Sequence, residues 1–288
     1  ARDPVGGQTT LWADGQAICA MCASAPNLYA DCTQYERTVF MIDLSPEQCY
    51  LLDIFRVTGG HNHLKCMGSA FGTVTTAGVH PTEAVEMAEE LQLRHFMRDP
   101  SPEPGWSVEW KIEDRYSLRE KGADVRLRYT DLTAEAQALL GEAWVVAGSF
   151  NAVNEAWVPR LMVRRSAVEL LASTFVAVLE PYEGQRALQA IRRLPLETTD
   201  GKRLPDACAA VELTGADGGR DLLISLDVVT EARLPEWNLV LQGKACYLQQ
   251  DARGQLTRAA LFHGTRLAAG DFTLTTKRPV EFLEVAII

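Results

Sequence analysis

Apolar and polar positions alternate in short runs along most of this chain, which is the period of a half-buried strand. Trp106, Val108 and Trp110 alternate with Ser107 and Glu109, and Val125-Arg126-Leu127-Arg128-Tyr129 repeats the pattern. Ile18–Ser24 and residues 38–44, 144–150, 161–165 and 173–179 read as further strands. So do residues 209–213, 222–228, 240–249, 256–263 and 272–276, separated by Asp200-Gly201, Asp217-Gly218-Gly219, Asp251-Ala252-Arg253-Gly254 and Ala269-Gly270-Asp271. Many short strands divided by Gly, Asp and Pro turns predict a mainly β chain built as a large antiparallel sandwich.

One stretch breaks the texture. His80-Pro81-Thr82-Glu83 has the signals of a helix start, with Pro in the first turn and Glu83, Glu86, Glu89 and Glu90 early. Val85, Ala88, Leu91 and Leu93 supply a partial apolar stripe, and the proline-rich run from Asp99 ends it. The spacing predicts an inserted helix over residues 81–96. Residues 68–78 read as irregular, 134–140 as one or two helical turns, and 185–194 as ambiguous.

The chain has 288 residues, 47% hydrophobic and 23% charged, enough to bury a large core in one big β domain or two. No window holds the ~18 uninterrupted apolar residues of a membrane span. A net charge of −10 argues against a nucleic-acid binder, which needs a basic surface. Seven cysteines leave at least one thiol unpaired within the chain. Cys19 and Cys22 stand three apart on a predicted strand, so they face opposite sides. Buried free thiols are the better reading.

Candidate chemistry gathers in residues 49–68, CYLLDIFRVTGGHNHLKCMG. A β-branched, aromatic run from Tyr50 to Val57 reads as a buried strand, and Gly59-Gly60 ends it, because paired glycines allow positive φ. His61 and His63 follow, two of only five histidines. Residues two apart on an extended backbone share a side, so a strand is expected to deliver two imidazoles to one surface. His80 is the other histidine nearby; His95 and His263 read as structural.

Asp53-Ile54-Phe55-Arg56-Val57-Thr58-Gly59-Gly60 followed by His63 resembles the D-hydrophobic-F-R-V-x-G-G-x-x-H segment of heparinase II/III-like polysaccharide lyases. A second stretch, from Phe175 through Glu180-Pro181-Tyr182-Glu183-Gly184 to Ile191 and Leu194, is similar to that family's F-x-S-V-x-E-P-Y-x-G segment. The resemblance covers residues 17–288. It implies a two-sheet super-sandwich over 1–202, with the helical insertion near 80–97, and a smaller C-terminal β domain over 203–288.

It also implies a chemistry: β-elimination on uronic-acid-containing glycans, in which a base takes the proton beside the carboxylate, a neutralising group holds the resulting charge, and an acid protonates the leaving oxygen. On that pattern His63, with His61 beside it, is the sandwich's catalytic contribution. Arg56 is a candidate for the substrate carboxylate, and His63 with His80 for a zinc ion. The implied partners are an acidic polysaccharide and an N-terminal α/α toroid carrying a catalytic Tyr, in the periplasm or outside the cell. The chain departs from the pattern at Met67-Gly68, where the family carries a histidine before glycine; a thioether is neither an acid nor a good zinc ligand. Without a toroid these residues make half a cleft, so the chain alone is expected to be inactive. The competing expectation is a non-catalytic carbohydrate-binding or structural sandwich.

Overall fold

The computed structural model describes residues 6–26, 28–69, 71–84, 92–146 and 155–287. Among them the strands are β1 (Gln8–Asp14), β2 (Ile18–Ser24), β3 (Gln34–Ser45), β4 (Gln48–Thr58), β5 (Asn62–Gly68), β6 (Gly72–Ala77), β7 (Thr82–Glu83), β8 (Leu93–Asp99), β9 (Ser107–Ile112) and β10 (Val125–Asp131). They continue as β11 (Gln137–Val146), β12 (Glu155–Ser166), β13 (Ala172–Glu183), β14 (Leu188–Leu194), β15 (Ala209–Gly215), β16 (Arg220–Leu234), β17 (Leu239–Gln250), β18 (Leu256–Ala269) and β19 (Phe272–Ala286). Every recorded pairing is antiparallel. The mainly β expectation holds.

The helix expected over residues 81–96 does not hold at its two ends. Residues 85–91, which include most of its apolar stripe, lie outside the described residues. At its two ends the chain is strand, with Thr82–Glu83 of β7 paired to Met97 and Arg98 of β8. The physical reason is a bulge. His95 has φ 51°, and the ladder between β8 and β11 slips between Leu140 and Glu142. The extra residue turns a two-residue alternation into a three-residue one, so Leu93 and Phe96 both point inward at a spacing that mimics a helix. Two further readings change: residues 72–77 are strand β6, and β11 already runs from Gln137. Residues 147–150, read as the end of a strand, lie outside the described residues.

The chain divides into two compact units. One comprises residues Ala1–Ala25, Glu36–Cys49 and Arg186–Ile288. Its last six strands, β14 to β19, pair in sequence order as one sheet. On one face Leu222, Ile224, Leu226, Cys246, Leu248 and Leu261 form a buried cluster closed by Trp237 and Leu194. On the other, Phe262 meets Phe282 at 5.1 Å and Phe40 of β3 at 5.6 Å between ring centres, which seats the β1–β2–β3 ribbon on that face. Burying each such ring is worth roughly 1.5–3 kcal/mol. In β2, Cys22 is buried and Cys19 is not, as alternation requires, and all seven cysteines are free thiols.

Glu212 on β15 holds this unit's rim together. It accepts hydrogen bonds from Arg192 (2.7 Å), Arg220 and Trp237 Nε1 (2.7 Å). Burial alone would raise its pKa, but these donors outweigh it and hold the carboxyl below its usual range. A depressed pKa means the folded state releases this proton more readily than the unfolded chain. The stabilisation is therefore present at neutral pH and lost as pH falls through the folded pKa, which lies below the ordinary glutamate range. Arg192 and Arg220 are partly exposed, so the contribution is discounted for screening. Glu212→Gln is expected to cost about 1–2 kcal/mol at pH 7 and to flatten the acid side of the stability curve, as read by urea unfolding between pH 3 and 7.

The second unit comprises Pro26–Tyr35 and Tyr50–Gln185. Here β4, β13, β10, β9 and β6 pair in that order, and β5, β12, β11, β8 and β7 form a second sheet. Between them Trp106, Val108, Trp110, Tyr129, Phe175 and Ala177 from the first set pack with Ala138, Leu161 and Val163 from the second.

Candidate functional site

The glycine turn and the strand after it shape the site. β4 pairs with β13, placing Val57 opposite Ser173 and Phe55 opposite Phe175. β5 pairs with β12, placing His63 opposite Arg165 and Lys65 opposite Val163. Burial alternates along β5, so His63 and Lys65 are buried while Cys66 between Lys65 and Met67 is exposed. The chain between the two strands is tied to the loop before β13, with Gly59 N–H donating to Leu171 O and Leu171 N–H to Gly60 O, each at 2.9 Å.

His63 is thus turned into the sandwich rather than onto an open surface, and only 8% of it is exposed. Both ring nitrogens are engaged. Nε2 lies against the Gly59 carbonyl oxygen, which can only accept, so Nε2 carries a proton. Nδ1 stands 2.8 Å from Ser173 Oγ and, in the neutral ring, accepts from that hydroxyl.

Gly59 has φ 114°, and a Cβ there would stand 1.8 Å from the carbonyl oxygen of Asp31. The glycine therefore admits the chain's own loop, residues 28–33, against the turn. That loop is fixed by Thr33 N–H to Thr58 O at 2.9 Å and by Cys32 Sγ to Gln34 O at 3.0 Å. Together the loop, the turn and His63 enclose a cleft of about 390 Å³, lined also by Tyr29, Asp31, Tyr35, Phe55, Val57, Asn62 and Phe175. Its aromatic rings follow one another: Tyr29 to Tyr35 at 5.8 Å, Tyr35 edge-on to Phe55 at 4.8 Å, Phe55 to Phe175 at 6.1 Å.

The other residues singled out by sequence are not gathered here. His61 precedes β5, is exposed, and contacts the Glu169 carbonyl through Nδ1 at 3.1 Å; it does not line the cleft. Arg56 is fully buried in β4, because both faces of that strand are covered, so it does not reach a substrate carboxylate at the surface. His80 is exposed beside β7, its backbone N–H donating to Asp99 Oδ2 at 2.7 Å. Among the described residues no group of three or more His, Cys, Asp or Glu side chains could hold a metal ion. With His63 engaged at both nitrogens and His80 exposed in the connection before β7, these donors do not fit the three or four ligands zinc takes. Met67 packs against the core of the unit.

Sequence reasoning passed over a buried ion pair on the same strand. Lys65 Nζ stands 2.6 Å from Asp53 Oδ2, with both side chains almost fully buried, and 5.7 Å from the centre of the Tyr129 ring. Tyr129 donates to Asp131 Oδ2 at 2.7 Å. Burial pushes the Asp131 carboxyl up, against the pull of Tyr129, Lys65 and Thr133. A lysine on an alternating strand reads as solvated; here alternation turns it inward. The cleft's Tyr29, Asp31 and Tyr35 were equally hidden, their only signal being two tyrosines flanking a short polar connection.

No family model matches the sequence, and no curated protein sequence matches it. Among solved structures, the chain is similar to the heparan sulfate lyase HepC from Pedobacter heparinus, at 16% identity and a TM-score of 0.46 over 76% of this chain and 27% of that one. It is also similar to a heparinase III, the BT4657 gene product, at 12% identity and a TM-score of 0.43, over 73% of this chain and 26% of that one. The chain spans about a quarter of the length of these structures.

Proposed function

We propose that this chain is the β-sandwich part of a heparinase II/III-like polysaccharide lyase, acting by β-elimination on uronic-acid-containing glycans together with an α/α toroid domain or chain, in the periplasm or outside the cell. The supporting observation is how residues 53–63 fold. The segment that resembles the family makes a buried strand, a double-glycine turn and a histidine on the wall of an aromatic cleft. In this reading His63 is the sandwich's proton-transfer group, and it works by exchanging the Gly59 carbonyl or the Ser173 hydroxyl for a substrate oxygen or carbon acid. The toroid supplies the tyrosine and the group that neutralises the uronate, since Arg56 is buried away from the surface. Proton transfer of this kind contributes about 10²–10⁴-fold only when base, acid and charge partner are positioned together.

One observation favours a second reading, a carbohydrate-binding sandwich without chemistry: His63 is already satisfied at both nitrogens. The two separate by experiment. The chain alone is expected to release no unsaturated uronate, read by ultraviolet absorbance, from heparan sulfate or alginate. Restoring the toroid, in one polypeptide or in trans, is expected to bring the absorbance up. Turnover by the chain alone would move the active site elsewhere, and none with the toroid present would leave the binding reading.

A further inference from the structure

The cleft beside His63 has a chemical bias of its own. Among its lining residues there is one carboxylate, Asp31, and no lysine or arginine. Its aromatic row runs from Tyr29, which is 63% exposed, to Phe175, which is fully buried. An aromatic face is electron-rich, with its positive rim at the edge; it attracts the C–H face of a sugar ring and repels an anionic substituent. Asp31 is exposed and offers acceptor oxygens to sugar hydroxyls while opposing a second carboxylate at close range. The loop carrying it is pressed onto Gly59, whose lack of a Cβ lets the Asp31 backbone carbonyl approach, so the backbone that presents the carboxylate is positioned before any ligand arrives. Preorganisation of that kind lowers the ordering cost of binding. The volume falls in the range of small-ligand sites.

We propose that this cleft is a subsite for an uncharged pyranose ring of a glycan chain, stacked on Tyr29 and Tyr35 with its hydroxyls on Asp31. It rests on the glycan-binding reading above and deepens it: the sandwich grips a neutral sugar on the tyrosine side of this cleft, and the uronate that reacts is the next ring along, at the His63 wall.

The test is equilibrium binding to the 288-residue chain, which needs no turnover. Cellobiose, N,N′-diacetylchitobiose and digalacturonate are titrated by calorimetry and by tyrosine fluorescence. At least one neutral disaccharide is expected to bind saturably and digalacturonate at least about tenfold more weakly, a gap of roughly 1.4 kcal/mol. Tyr29→Ala, at an exposed position that folding tolerates, is expected to weaken the neutral sugar about tenfold. Asp31→Asn is expected to narrow the gap between neutral and acidic sugars. Digalacturonate binding as tightly as the neutral sugars, or neutral binding untouched by both variants, overturns the proposal. So does the absence of saturable binding by either neutral sugar; if lyase activity with the toroid is nonetheless present, the subsite alone has failed and the lyase reading stands.

Discussion

Gly59→Ala is expected to destabilise the protein by about 3 kcal/mol or more, whereas Gly60→Ala, one residue on, costs only about 1 kcal/mol. Both glycines have positive φ, 114° and 73°, so both variants bear the strain of a Cβ in that region. They differ in what the Cβ meets. At Gly59 it would lie 1.8 Å from the Asp31 carbonyl oxygen, a backbone atom that can move only if its loop lifts; at Gly60 the nearest atom is His63 Nε2 at 4.0 Å. Urea unfolding of the two variants against the parent measures the difference. Equal losses would mean that the loop does not bear on the turn. The larger loss should also appear in sugar binding, because the loop that lifts carries Tyr29 and Asp31.

The second large effect concerns His63. In the toroid-containing enzyme His63→Ala is expected to lower the turnover rate by 10²-fold or more, the ordinary contribution of a proton-transfer group. From sequence alone that loss would come with little change in stability, since the strand is expected to present this imidazole at a surface. Its burial and two hydrogen bonds change this expectation. Truncation leaves the Ser173 hydroxyl and the Gly59 carbonyl without their partner, which costs about 1–3 kcal/mol. The measurement is turnover per folded molecule, with the folded fraction taken from circular dichroism. If activity falls only as far as the folded fraction does, His63 is a structural residue and the non-catalytic reading gains.

Alternation carried the fold well. It placed β2 to the residue and the central parts of β9, β10, β12 and β13, because each has one covered face and one exposed face or a continuous buried run. It failed at β8, where the His95 bulge shifted the period, and at β6, whose small residues carry little apolar signal. The site was legible only along the chain. Residues 53–63 identify a strand, a turn and a histidine, but the direction of His63 depends on β13 and β12, which the sequence places far away. Arg56 reads as available because a strand's sequence shows one face at a time, and burial of its second face is a tertiary fact. Tyr29, Asp31 and Tyr35 join the site only through the close approach at Gly59, which leaves no periodic trace.

The long reach of these pairings also sets when the cleft can exist. His63 and Ser173 are 110 residues apart in the chain, and the strands that hold them, β5 with β12 and β4 with β13, close loops of similar span. Such contacts reward the chain only after most of the loop entropy has been spent, which makes folding slow. During synthesis Gly59-Gly60 emerges well ahead of Leu171, Ser173 and Phe175, and has to wait for them before its peptide groups and the imidazole find their partners. A nascent chain halted before that point carries residues 53–63 and none of their cleft geometry. The cleft cannot close until β13 has been made.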